Sequence, residues 1–422
     1  MIKKIKSKIN TKEKKQLFSN FFSLSVLQIF TYVLPLITLP YLVRVLDTEK
    51  FGLIMFAQAF IIFFNIFVDF GFNLSATKDI SVHRDDKTKI TEIFSVVMTI
   101  KIILIVVSFV LLTIIIFLFD KFSDDWALYY LTFLWVIGQA LFPIWYFQGM
   151  EKMKYITIVN ITSRVIFTLL IFLVIKEESD YIYVPLVNGM GFIIGAFISL
   201  WMIHKNFNQS FKLYNLKTLK HYFYESAQFF WSRISLTLYT SSNAFILGLF
   251  TNNTMVGYYS IAEKLYQAMQ QLYQPIVQAL YPYVAKHKNI PLFKKIFTIS
   301  VIINILGIIL LLFIGPYIFD LLFTKNIGEE SLHVFNILLI AAIIVVPSIL
   351  MGYPFLGALG FAKYANISVI YGSIFHLLGL GLLILVKQVT IYNVALLVVA
   401  TETLVFSIRL YWVKRKALWQ KQ

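Results

Sequence analysis

Several ionisable side chains lie inside apolar stretches long enough to cross a bilayer. The basic ones are Lys101, Arg164, Arg233, Lys264 and Arg409, and the acidic ones are Asp69, Glu263 and Glu402. A charge near the centre of a bilayer costs at least about 2.5 kcal/mol, so such residues are candidates for function. Because bases outnumber acids here, we expect a positive environment that binds an anion.

Four cations form the predicted anion site, namely Arg164, Arg233, Lys264 and Arg44. Arg164 and Arg233 are the main candidates because each has polar neighbours, as expected of a wet helix face. The planar guanidinium fork of arginine suits phosphate, since it donates to two oxygens at once. We expect Lys101 and Arg409, which lie near the cytoplasmic ends of their spans, to extend their side chains to the interface instead.

Amide side chains recur along one face of two spans. These series are Gln58, Asn65, Asp69 and Asn73 in the second span, and Glu263, Gln267, Gln270, Gln274 and Gln278 in the eighth. Unpaired polar groups are expensive against lipid, so both faces must meet protein or water. We predict a hydrated cavity in which Gln58, Asn65, Gln267, Gln270 and Gln274 bind polar substrate groups. Packing between helices is the alternative.

Asp69 and Glu263 are candidates for coupling movement to protons or sodium, because protonatable groups in a pathway often have this role. For Glu263, charge compensation by the neighbouring Lys264 is the simpler alternative. The sequence predicts no other cofactor. It has no cysteine, no histidine pair with metal-ligand spacing and no glycine-rich phosphate loop followed by lysine.

The elements that position these residues are twelve predicted membrane-spanning helices. Of all residues 59% are hydrophobic and 14% are charged, whereas soluble domains have about 25% charged residues. We therefore predict an all-α membrane protein with two six-helix bundles around a central cavity. The predicted spans are 18–43, 51–72, 93–119, 126–148, 156–175, 182–203, 226–249, 257–284, 296–323, 332–356, 365–386 and 392–412.

The distribution of lysine and arginine predicts the orientation. Most of the 37 basic residues lie at the termini and in loops after even-numbered spans, so both termini should be cytoplasmic. The topology rule and anionic lipids account for the net charge of +16, which argues against nucleic-acid binding. The predicted domains are a basic terminus 1–17, a bundle 18–203, a cytoplasmic linker 204–225, a bundle 226–412 and a basic terminus 413–422.

A weak internal repeat supports the two bundles. Residues 46–57 align with residues 251–262, which superposes Gly52 on Gly257. Two six-span halves of equal orientation are typical of transporters with a substrate path between repeats. Prolines supply candidate bending points, with Pro35 and Pro40 predicted to interrupt the first span and Pro275 the eighth.

The segments SVLQIFTYVLPLITLPYLVRVLDTEKFG and DFGFNLSATKDIS, within residues 20–81, resemble the opening of bacterial polysaccharide transporters. These are the Wzx-type O-antigen flippases of the MATE-like MOP superfamily. Asp47 departs from the glycine that the family usually has in this turn. The resemblance implies that the substrate is a short oligosaccharide carried on undecaprenyl diphosphate. The protein would move this substrate from the inner to the outer leaflet of the bacterial inner membrane. The four cations would then bind the diphosphate, and polysaccharide polymerase and chain-length proteins would be partners.

Two other classes stay open from the sequence. A MATE-type multidrug antiporter would share the fold, although its cationic substrates favour an acidic cavity. A membrane polysaccharide polymerase is the second, although the chain has no long extramembrane loop to hold catalytic carboxylates. We therefore expect a transporter and no enzymatic activity.

The predicted topology is tested by fusing a reporter that is active only outside the cytoplasm. Fusions at Asp124 and Glu178 should give signal, because these acidic residues lie in predicted outer loops, whereas fusions at Lys217 and after the last residue should give none. The reverse pattern would invert the topology and place the arginines at the outer face.

Overall fold

The computed structural model describes residues 12–323 and 325–419, which are almost entirely helical and include no β-strand. The prediction of an all-α protein is confirmed. Residues 1–11 and 420–422 of the two predicted basic termini lie outside the described residues. The helices are α1 Lys12–Asp69, α2 Phe72–Val82, α3 Lys87–Leu118, α4 Asp120–Ser123, α5 Trp126–Leu141, α6 Ile144–Gly149, α7 Met153–Val174, α8 Tyr183–Phe207, α9 Leu216–Phe250, α10 Asn253–Gln271, α11 Gln274–His287, α12 Ile290–Leu322, α13 Lys325–Leu350, α14 Ala362–Leu385 and α15 Ile391–Arg415, with a π-helical segment Met351–Gly357 after α13.

Nine helical segments of the described chain are long and apolar enough to cross a membrane. The predicted count of twelve is therefore not confirmed. The first two predicted spans lie on one helical segment, Val26–Val82, and are counted once. The seventh and eighth predicted spans fall on α9, α10 and α11, which are more polar. Among the described residues of these three helices, only the stretch Ser241–Phe250 of α9 counts as a shorter apolar helix.

The chain divides into two compact units. The first contains the described residues through Thr38 together with Phe60–Ile234, and the second contains Leu39–Ala59 together with the described residues from Ser235 onward. Two helices, α1 and α9, thus contribute to both units. The predicted linker 204–225 belongs to the first unit.

The main backbone break in α1 lies at Asp47, which has φ 57° and ψ 169°. This conformation is costly for any residue with a Cβ and is otherwise occupied almost only by glycine. At Pro35 and Pro40, by contrast, the backbone stays helical, so the prediction that these prolines interrupt the first span is wrong. Pro275 does follow a break, since α10 ends at Gln271 and α11 begins at Gln274.

The two glycines matched by the internal repeat pack against each other in the second unit. A Cβ on Gly52 would overlap the Asn253 carbonyl oxygen and lie 2.7 Å from the Gly257 nitrogen. A Cβ on Gly257 would lie 2.6 Å from the Thr48 carbonyl oxygen. Small residues let helix backbones approach closely in membranes. Glycine is required at both positions for this crossing.

The segment 204–225 is fastened to the start of α3. Gln209 accepts a hydrogen bond from Thr91 at 2.8 Å, and the Lys212 backbone donates to Ser95 at 3.0 Å. Tyr222 and Lys89 both donate to the Glu92 carboxylate, at 3.0 and 2.6 Å. The segment is therefore an ordered part of the first unit.

Replacing Asp47 with glycine should stabilise the protein, because glycine adopts the backbone conformation at this break without steric cost. We expect a gain of order 1 kcal/mol, seen as a higher midpoint of thermal unfolding for the detergent-purified protein. Glu49→Gly is the matched control. Glu49 is exposed and helical, so this change should cost about 1 kcal/mol. Equal destabilisation by both changes would show that Asp47 is not strained.

Candidate functional site

The sequence Asp69-Phe70-Gly71-Phe72 forms the turn between α1 and α2. Phe70 and Gly71 have φ values of 45° and 79°, and a Cβ on Gly71 would lie 2.7 Å from the Cβ of Phe229. Glycine is therefore needed both for the turn and for the close approach of α9. The Phe70 ring stacks on Phe223 at 4.1 Å and on Phe230 at 4.8 Å between centroids. These contacts fix the position of Asp69 at the end of α1.

Asp69 forms a buried ion pair with Lys101 of α3. The Lys101 Nζ lies 3.2 Å from the Asp69 Oδ1, and the two side chains are 2% and 12% exposed, respectively. The prediction that Lys101 reaches the membrane interface is therefore wrong. Its ammonium is retained inside the first unit because a carboxylate there compensates its charge.

A cavity of about 230 Å³ lies beside this ion pair within the first unit. It brings together three residues singled out from the sequence, Asp69, Asn73 and Arg233, and the Arg233 side chain is exposed. The remaining lining residues are Gly71, Leu74, Ile144 and Gln148. Because Lys101 already compensates Asp69, and the described chain has no ion pair of Arg233, the cavity has a cation available for a ligand.

The amide series of the second predicted span is divided by the structure. Asn65 donates to the Gln139 Oε1 of α5 at 3.3 Å within the first unit, whereas Gln58 belongs to the second unit. For Asn65 the contact matches the alternative of packing between helices. Asn73 follows the break after α1 and still lines the same cavity as Asp69.

Arg164 of α7 also lies in the first unit, where it interacts electrostatically with Tyr32 of α1. Its Nε is buried and makes no hydrogen bond within the described residues. Arg164 does not line the cavity beside Arg233. The structure thus places the two arginines of the predicted anion site in the same unit, and only Arg233 in this cavity.

The remaining predicted residues lie in the second unit. Lys264 and Glu263 are adjacent on α10, Gln267 is exposed, and Gln270 and Gln274 are half-buried. Arg44 has a different environment, because its guanidinium donates to the carbonyl oxygens of Leu321 and Leu322, at 2.8 Å for the bond to Leu322. It therefore caps the C-terminal end of α12.

Arg409 is buried rather than extended to the interface, so that prediction is wrong. Its Nε donates to the Ser368 Oγ at 2.9 Å, and its Nη1 donates to the Ser348 carbonyl oxygen at 2.7 Å. The guanidinium lies 3.2 Å from the position that a Cβ on Gly352 would take. Arg409 thus supports the irregular backbone at the start of the π-helical segment.

His376, isolated in the sequence, has buried partners in the structure. Its Nδ1 lies 3.0 Å from the Thr401 Oγ1, and its Nε2 lies 2.8 Å from the Asn243 Oδ1. No sequence pattern identified this group of residues as functional. The available signal was the histidine itself, since an ionisable residue inside an apolar helix requires partners from other helices.

A family model described as polysaccharide biosynthesis protein matches residues 17–288 of the chain. The chain belongs to this family. The match covers more than half of the sequence and includes the Asp69 turn, Arg233 and Glu263. The resemblance found in the opening segments is therefore confirmed.

Two curated relatives carry the name "Putative O-antigen transporter". The protein of Escherichia coli (strain K12) is 31% identical over 411 residues, which covers 94% of this chain and 97% of the relative. The protein of Shigella dysenteriae is 27% identical over 350 residues, which covers 82% of this chain and 88% of the relative.

Two solved structures have the same fold as this chain. The lipid II flippase MurJ in an inward closed conformation superposes with a TM-score of 0.70 at 14% identity, covering 92% of this chain and 87% of MurJ. An outward-facing multidrug resistance MATE transporter of the MOP superfamily superposes with a TM-score of 0.61 at 13% identity. The match covers 96% of this chain and 97% of that transporter. The predicted MATE-like membrane fold is confirmed.

The buried ion pair predicts a non-additive response to mutation. Lys101→Met should destabilise the protein by about 3–5 kcal/mol, because it leaves Asp69 buried without a compensating charge. Adding Asp69→Asn to Lys101→Met should recover most of the loss, since neither charge then remains. The check is thermal unfolding of the purified single and double variants. Purely additive losses would show that the two side chains do not act as a pair.

Proposed function

We propose that this protein is a flippase that moves an oligosaccharide linked to undecaprenyl diphosphate from the cytoplasmic to the periplasmic leaflet of the bacterial inner membrane. Family membership and the O-antigen transporter names of its relatives support this class of substrate. The fold shared with a lipid II flippase supports movement of a lipid-linked molecule. The glycan would be an O-antigen or capsule repeat unit.

The observation that carries the proposal is the cavity lined by Arg233. A diphosphate carries several acceptor oxygens, and a guanidinium can donate to two of them at once. Asn73 and Gln148 add amide groups to the same lining. By the predicted topology the cavity lies at the cytoplasmic end of the spans, which is the side from which the substrate arrives.

The structure supports the other predicted substrate-binding residues to different degrees. Arg164 is the second candidate for the diphosphate, since its buried Nε has no hydrogen-bond partner among the described residues. Lys264 and Arg44 stay predictions, although capping of α12 already occupies the Arg44 guanidinium. Gln58, Gln267, Gln270 and Gln274 are proposed to contact sugar hydroxyls, and Asn65 would do so only if it releases Gln139.

Translocation would proceed by alternating access, with no catalysis and with both termini cytoplasmic. The lipid tail would stay in the bilayer while the diphosphate and sugars pass through the hydrated path. A polysaccharide polymerase and chain-length proteins would use the exported product. Asp69 is engaged with Lys101, so Glu263 is the stronger candidate for coupling to protons.

A multidrug antiporter shares the fold and would act on cations. The compensation of Asp69 by Lys101 beside Arg233 argues against this function, because it leaves the cavity with a basic rather than an acidic group. A polymerase would need catalytic carboxylates at a membrane surface, and the relatives are named as transporters.

Arg233→Ala should abolish surface polysaccharide while membrane abundance stays normal, because the cavity loses its cation for the diphosphate. Arg233→Lys should restore only part of it, since lysine retains the charge without the planar fork. Immunoblotting measures both quantities, the abundance of the protein in membranes and the amount of surface polysaccharide.

Arg415→Ala is the matched control, since Arg415 lies at the end of α15, where it packs on Tyr411 and Trp412. This change should leave polysaccharide intact. Normal polysaccharide in cells with Arg233→Ala would remove Arg233 from the substrate site.

A further inference from the structure

A cavity of about 500 Å³ lies within the second unit, where α13 meets the start of α15. Its lining consists of His333, Asn336, Ile337 and Ile340 of α13 and Tyr392 of α15. The α13 residues are spaced i, i+3, i+4 and i+7, so they share one face of the helix. Binding sites for small molecules have volumes of about 300–1,000 Å³. The cavity therefore has the size of a ligand site.

The Tyr392 side chain is held in place at this cavity. Thr390 caps α15, since its Oγ1 accepts a hydrogen bond from the Asn393 backbone at 3.1 Å. The Asn393 Nδ2 donates to the Gln388 carbonyl oxygen at 2.8 Å. The Tyr392 hydroxyl donates to the Glu330 carboxylate of α13. Both ends of the tyrosine are thus fixed, while 37% of the residue stays exposed.

The charges near this cavity differ in sign from the cation of the Arg233 cavity. Glu330 is hydrogen-bonded to Tyr392, and it also interacts electrostatically with Tyr258 of α10, as does Asp47 of α1. Two carboxylates disfavour a phosphate ligand by like-charge repulsion. The cavity is therefore suited to an uncharged ligand rather than to a diphosphate.

Asn336 and His333 make the polar part of the lining. The Asn336 Oδ1 is buried and makes no hydrogen bond within the described residues. An unpaired buried acceptor is unfavourable, so a hydroxyl group that enters the cavity would supply the missing donor. Amide and imidazole side chains both donate and accept hydrogen bonds, as hydroxyl groups do. Ile337 and Ile340 add apolar surface to the same face.

We propose that this cavity is a saccharide-binding site, in which the Tyr392 ring packs on the C–H face of a sugar ring and Asn336 and His333 bind its hydroxyl groups. A sugar presents both kinds of surface, and an aromatic ring buries its apolar one. The inference rests on the proposed function, because the sugars would be those of the lipid-linked substrate. By the predicted topology the cavity lies at the outer end of the spans, where the sugars leave.

A thiol in the cavity tests the proposal, since the chain has no cysteine of its own. Ile340→Cys is made in the full-length protein, which is reconstituted in phosphatidylcholine nanodiscs and treated with a water-soluble maleimide. The thiol should react, because the thiolate forms only where water reaches it. The probe is the glycan that mild acid releases from the lipid-linked oligosaccharide of the producing cells. At about ten times its Kd, this glycan should slow the reaction about tenfold by mass action.

The matched control is Ile343→Cys, because Ile343 is an exposed residue of the same helix that does not line the cavity. The glycan should not change its reaction with the maleimide. An unreactive thiol at position 340, or equal slowing at both positions, would overturn the proposal. The first result would mean that the cavity faces lipid, and the second that the glycan acts without occupying it.

Substitution of the lining residues should weaken the protection of the thiol. Added to Ile340→Cys, both Asn336→Leu and Tyr392→Ala should raise the Kd of the glycan roughly tenfold. Tyr392→Phe should raise it less, since the ring remains. Asn336→Leu removes an unpaired acceptor and should not lower the midpoint of thermal unfolding. It therefore keeps the test decisive even if Tyr392→Ala does not fold. Unchanged protection in Asn336→Leu would overturn the proposal.

A membrane phospholipid is the other class of ligand with both polar and apolar surface. Nanodiscs that contain phosphatidylethanolamine should give the same labelling rate as phosphatidylcholine nanodiscs. The intact lipid-linked oligosaccharide should protect the thiol as the released glycan does. Protection by phosphatidylethanolamine, or by the lipid-linked form alone, would assign the cavity to a lipid and overturn the proposal.

The outcome is separable from that of the proposed function. If the released glycan protects the thiol while a purified lipid-linked oligosaccharide is not moved in proteoliposomes, the saccharide site stands and the flippase proposal fails. If the oligosaccharide is moved but the glycan gives no protection, only the saccharide site fails.

Discussion

A charged side chain held away from water must be compensated by the protein itself, and the interior of both units follows from this constraint. In the first unit Lys101 compensates Asp69, and in the second unit two serines and a backbone carbonyl surround Arg409. Cations that have such partners are not available to bind a ligand. Arg233 is functionally informative because it lies in a cavity beside a carboxylate that another residue has already paired.

Much of the architecture could be predicted from the sequence because it depends on local pattern. The length of the apolar stretches predicts membrane helices. The Asp69-Phe70-Gly71-Phe72 motif indicates a family, and the chain belongs to that family. The number of spans was less predictable. Helices α9 to α11 carry many polar side chains, so length and apolarity alone do not identify them as membrane-spanning.

The partners of buried polar residues could not be predicted, since they come from distant parts of the chain. Lys101 and Arg409 lie near the ends of their predicted spans, where long side chains often reach the interface. Nothing in the sequence indicates that Asp69 or Ser348 faces them. His376 is similar, because Asn243 and Thr401 lie far from it in sequence. A pattern identifies which residues need partners, whereas the fold determines which partners they have.

The contact between Gly52 and Gly257 has a consequence for biosynthesis. Residues 39–59 belong to the second unit, yet the ribosome delivers them among the first helices and delivers Asn253 and Gly257 much later. Domains generally fold as units, N-terminal first, as the chain is made. Here an early segment must wait in the bilayer without its glycine partner while most of the first unit is inserted. A membrane chaperone or insertase that shields this segment would therefore protect the chain during the interval.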